Sequence, residues 1–186
     1  MPQTQVTSEI LWRAALVFVV IDAVFATMLV RRIKLEIFRS LPLILVIVSG
    51  VFWFLVWILM SPYFWEPVYH HVFPEWARWL IPPLYGILFA LVAWLFWWLS
   101  LRLPGRPALN FLLLGGLWGM ITHVWAISRG LLDKPPMLQG VSPLSASVMP
   151  IFEFMFYWCI ILMISSFLYR LTMKSPGRKN SKGQET

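Results

Sequence analysis

Two carboxyls and an imidazole stand within otherwise apolar stretches of this 186-residue chain: Asp22, Glu153 and His123. A charged group at mid-membrane depth costs roughly 2.5–3.5 kcal/mol, so each of the three needs a partner or a use. An imidazole and two carboxyls offer proton transfer, cation coordination or mutual hydrogen bonding. Counting from the middle of each apolar stretch at 1.5 Å per residue places His123 roughly 7–8 Å and Glu153 roughly 9–10 Å toward the same side. The two stretches are consecutive in sequence, so His123 and Glu153 are expected to meet. Tyr157 lies one helical turn from Glu153, on the same face. Such a pair can catalyse, move a proton or only satisfy two buried polar groups, and the sequence leaves those alternatives open. Asp22 shares a helical face with Ala15 and Ala26, at i−7 and i+4. That face can approach a second helix closely, and Asp22 is then either a cation or proton relay or a polar contact that joins helices.

The other histidines, His70 and His71, stand between Glu66 and Glu75, with one glutamate four residues before the first and one four residues after the second. In a helical turn those spacings let Glu66 meet His70 and His71 meet Glu75. A metal site joining one of them to His123 and Glu153 requires this segment to fold over the bundle. The alternative is a segment on the membrane surface with its polar groups in water. Only one histidine lies within an apolar stretch, which disfavours a haem held between two facing histidines. The chain has no P-loop, GxGxxG, HExxH, CxxC or GxSxG signature. The sequence specifies no cofactor.

The elements that carry these residues are five apolar segments, at about 10–30, 41–60, 79–101, 109–128 and 148–169. Each approaches or exceeds the ~20 residues that cross ~30 Å of hydrocarbon as a helix. Apolar residues make up 60% of the chain and charged ones 12%, against about 45–50% and about 25% in soluble proteins. One core of this size cannot hide that much apolar surface, whereas a bilayer solvates it. Strand alternation is absent, and separate segments of this length satisfy their backbone groups in lipid only as helices. The expected fold is therefore all-α: a polytopic membrane bundle of about five spans, forming one domain over 1–170, with a basic, disordered tail at 171–186.

Basic residues set the orientation. Arg31, Arg32, Lys34, Arg39, Arg102, Arg106, Arg170, Lys174, Arg178, Lys179 and Lys182 fall on one side, against Arg13, Arg78, Arg129 and Lys134 on the other. The positive-inside rule then puts the N-terminus outside and the C-terminus in the cytoplasm, as in a bacterial-type inner membrane. The net charge of +7 is accounted for in this way, and nucleic acid is not an expected partner. The opening residues lack the basic leader of a signal peptide, so cleavage is not expected. The single cysteine, Cys159, forms no internal disulfide.

Gly115 and Gly119, four residues apart and in line with His123, form a small-residue packing motif that turns the histidine inward. The short inner connections predict that consecutive helices pair as antiparallel hairpins. The outer stretch 61–78, rich in aromatics and proline, reads as an interfacial cap, and 130–149 as a long outer loop. Trp94, Trp97 and Trp98 read as an inner interface belt, and Trp53, Trp57, Trp65, Trp76 and Trp79 as its outer counterpart. Two functions fit this frame. One is a small accessory, assembly or interaction component, whose partners are the lipid bilayer and either other membrane subunits or a second copy. The other is a membrane enzyme or proton- or cation-coupled carrier that uses His123, Glu153 and Asp22.

Overall fold

The computed structural model describes residues 8–64, 74–128 and 143–173. All the secondary structure among them is helical: α1 (Ser8–Arg32), α2 (Leu35–Arg39), α3 (Pro42–Phe64), α4 (Ala77–Ser100), α5 (Pro107–Ser128) and α6 (Pro143–Met173). Three helices open on proline, whose fixed φ suits the first helical position and whose missing N–H has no intrahelical partner there. Among the described residues, four helices are long and apolar enough to cross a membrane, over Pro42–Leu59, Ala77–Ser100, Pro107–Trp125 and Pro150–Met173. The chain is thus a multi-pass helical membrane protein. The first helix, α1, has 25 residues but carries Asp22 at its centre and Arg31 and Arg32 at its end, and it is not among those four.

The helices run beyond their apolar segments, α3 and α6 the furthest. The last begins at Pro143, inside the stretch read as an outer loop, and continues through Pro150 to Met173, taking in the first three residues of the expected tail. The first four residues of the expected cap, 61–64, continue α3, and Ala77 already belongs to α4. Residues 65–73, 129–142 and 174–186 lie outside the described residues, and with them His70, His71, Trp65 and most of the tail.

Consecutive helices pair as expected at α3–α4, α5–α6 and, less closely, α4–α5, but α1 does not pair with α3. It packs instead on α6 and part of α5. The reason lies in α2. After the extended turn at Lys34, this short helix carries the chain across the end of the bundle. There Phe38 is fully buried, its ring edge-on to Phe111 at 6.1 Å, and its carbonyl accepts a 2.8 Å hydrogen bond from the Trp97 indole. The connection is therefore a packed spacer that sets α3 away from α1. The α4–α5 turn sits beside it, with Gly105 at φ 98°, a conformation open to glycine at little cost. The Asn110 amide fastens that turn by donating to the carbonyls of Leu103 and Pro104 at 3.3 and 3.1 Å.

Close approach defines both main helix pairs. Between α3 and α4, Gly50 and Gly86 face each other so tightly that a Cβ on Gly86 would lie 2.9 Å from the Gly50 carbonyl oxygen. One turn away the Ser49 hydroxyl donates to the Phe89 carbonyl at 2.9 Å. Between α5 and α6 the Gly115–Gly119 motif forms the seam: Trp158 sits over Gly115 and Phe154 over Gly119. Small residues let backbones approach where lipid supplies no hydrophobic drive between helices.

Aromatic rings fill the space this leaves. Trp53 stacks on Phe89 at 4.1 Å and packs against Phe154 at 5.2 Å; Trp158 stands edge-on to Phe111 at 5.3 Å. Trp53 and Trp57, expected at the outer interface, are buried, with Trp57 stacked on Tyr85 at 4.7 Å. Trp76 and Trp79 are exposed, as an interface belt requires. At the other end Trp94 and Trp98 are also exposed, and the Arg102 guanidinium lies 3.3 Å over the Trp98 ring.

Candidate functional site

The polar group toward the C-terminal end of α5 and the N-terminal half of α6 is built by those two helices. On α5, the His123 Nδ1 lies 2.9 Å from the Gly119 carbonyl oxygen one turn back. A carbonyl can only accept, so Nδ1 carries the proton, and in the neutral ring Nε2 keeps its lone pair. The ring is held edge-on to Phe154 at 5.4 Å. Gly119 therefore has two jobs. It admits α6, since a Cβ there would lie 2.6 Å from Phe154 Cγ and 2.7 Å from the Pro150 carbonyl oxygen, and it anchors the imidazole.

On α6, the Tyr157 hydroxyl donates a 2.6 Å hydrogen bond to Glu153 Oε1. Tyr157 in turn packs on Phe52 and Trp53 of α3, at ring distances of 5.8 and 5.4 Å. Glu153 and His123 lie within electrostatic reach of each other, but the described contacts give them no direct hydrogen bond. The reason is rotational. Side chains on α6 turn by ~100° per residue, and it is Phe154, Met155 and Trp158 that meet the glycines of α5. Glu153 and Tyr157 occupy the adjoining face, toward α3. The matching depth of His123 and Glu153 does not make them a bonded pair.

Asp22 belongs to a different interface. With Ala15 and Ala26 it is buried along one face of α1, 2% exposed, and it lies within electrostatic range of Cys159 on α6. Cys159 is six residues past Glu153, about 9 Å along the helix, so Asp22 is removed from the His123–Glu153 region. Neither of its carboxylate oxygens has a hydrogen-bond partner among the described residues.

For a metal, the described residues contain no group of three or more His, Cys, Asp or Glu that could hold an ion. Of the four residues proposed for that role, His123 and Glu153 are placed near each other without a third donor, and His70 and His71 lie outside the described residues. The arrangement that is present can hold or relay a proton: a tyrosine hydroxyl bonded to a carboxylate, with a singly protonated imidazole near by.

Sequence reasoning did not single out Phe154 or Trp158, which set the position of both polar groups. Their signal was indirect: two glycines spaced by four on one helix call for two large side chains spaced by four on the next, and Phe154 and Trp158 have that spacing. Comparison of the chain with family models, with curated proteins and with solved structures gives no match.

Proposed function

We propose that the chain is a five-span integral membrane protein, N-terminus outside and C-terminus cytoplasmic, in a bacterial-type inner membrane. In this reading it works as a small accessory or assembly component, docked on other membrane subunits or on a second copy. The observation that carries the reading is the division of labour between helix faces. Inward faces are closed by Trp53, Phe89, Phe154 and Trp158, whereas outward faces are apolar, with aliphatic stretches such as Leu84, Ile87 and Leu91 of α4. An aromatic-packed seam between α3, α4 and α6, with aliphatic side chains turned outward, suits a protein whose work is done at its lipid- or partner-facing surface. The fifth span is α1, whose residues 14–30 hold one charge, Asp22, and whose small-residue face packs on α6.

Photo-crosslinking residues placed at Leu84 and at Leu91 in native membranes test this. A discrete protein adduct, the same from both positions, supports the reading. Lipid adducts alone at these and at the corresponding outward positions of α3 and α5 contradict it.

A second reading, an enzyme or proton- or cation-coupled carrier, is favoured by one observation. The Tyr157–Glu153 bond of 2.6 Å places two titratable groups within a span near His123, where polar groups are costly. A stably inserted His123→Leu protein that loses an activity its parent has would move the assignment to this class.

A further inference from the structure

A cleft of about 430 Å³ opens beside the seam where α1 packs on α5 and α6. Small residues make it: Ala23, Ala26 and Thr27 leave α1 set back from Leu109 of α5 and Met155 of α6. One end bears Arg31 and Arg106, both exposed. Arg170 reaches the same end, donating to the Arg32 carbonyl at 3.1 Å. At the other end lie Val19 and Asp22.

We propose that this cleft holds one acyl chain of an anionic phospholipid, whose phosphate sits between Arg31 and Arg106. Length, volume and charge all agree. From Val19 to Arg31 the cleft runs ~18 Å along α1, close to one leaflet of a ~30 Å hydrocarbon core with its headgroup boundary. A methylene takes up about as much room as a water molecule, roughly 30 Å³, so the volume accepts on the order of one acyl chain. Guanidinium groups bind phosphate oxygens in a bidentate fashion that ammonium groups do not match. Asp22, the one acidic residue of the lining, lies nine residues from Arg31, ~13.5 Å along the helix, and so does not neutralise that end. A second copy docked here would set arginines against arginines, which disfavours it as the occupant.

Native mass spectrometry of the full-length protein, purified in mild detergent and titrated separately with phosphatidylglycerol and phosphatidylcholine, tests the proposal. The expected result is one phosphatidylglycerol retained per chain at a tenfold or lower concentration than phosphatidylcholine. That preference should vanish in Arg31→Gln/Arg106→Gln and persist in Arg31→Lys/Arg106→Lys at reduced strength. Ala23→Trp, at an exposed position, should block retention of both lipids with the helical circular dichroism unchanged. Equal retention of the two lipids by the parent protein overturns the proposal. So does an unchanged preference in the glutamine variant, or a protein dimer without lipid.

Discussion

The hydroxyl of Tyr157 donates to Glu153 Oε1 at 2.6 Å, one turn apart on α6 and on the face that meets Phe52 and Trp53 of α3. The carboxylate thus has its bonded partner on its own helix rather than on α5. A double-mutant cycle with Glu153→Gln and Tyr157→Phe, measured in bilayer or detergent, should give a coupling of about 0.5–2 kcal/mol. The same cycle between Glu153→Gln and His123→Leu should give distinctly less. The reverse order would mean that the imidazole is the true partner.

Gly119 carries the seam between α5 and α6. Replacing it by Ala should cost about 1–3 kcal/mol, because the new Cβ meets both a ring and a backbone carbonyl that cannot easily withdraw. Thermal unfolding in detergent, read by circular dichroism, measures it. A melting temperature equal to that of the parent would show that α6 is not seated on this glycine.

The helices themselves were legible in the sequence, because apolar runs bounded by proline and arginine leave little choice of element. The shared level of His123 and Glu153 along the bundle was legible too, and the two come within electrostatic reach. Azimuth was not. Whether Glu153 faces α5 or α3 depends on which side chains of α6 fill the glycine seam, and that is decided by Phe154 and Trp158 together. The same blindness placed Trp53 and Trp57 at an interface: an aromatic within an apolar run looks alike from sequence whether it faces lipid or Phe89. The pairing of α1 with α6 depended on α2, a five-residue helix too short to announce itself.

Trp53 is the test of that burial. Trp53→Ala removes the ring stacked on Phe89 and should cost about 3–5 kcal/mol, whereas Trp79→Ala, at an exposed position, should change stability by no more than about 0.5 kcal/mol. Chemical unfolding of the two variants in parallel checks the contrast. Equal losses would contradict the packing described.

Asp22 holds two buried oxygens without a hydrogen-bond partner among the described residues. Replacing an unsatisfied polar group by an apolar one relieves its desolvation, so Asp22→Leu should insert normally and unfold at a higher temperature. A lower melting temperature would show that the carboxyl makes a contact that holds α1 to α6.

Whether α1 crosses the bilayer decides the topology, because five spans put the two ends of the chain on opposite sides and four put them on the same side. Single cysteines at Gln5 and Lys179, each in a Cys159→Ser background, decide between these with a membrane-impermeant thiol reagent on intact cells. The five-span reading predicts that position 5 labels directly and position 179 only after permeabilisation. Labelling of both positions from one side would contradict it.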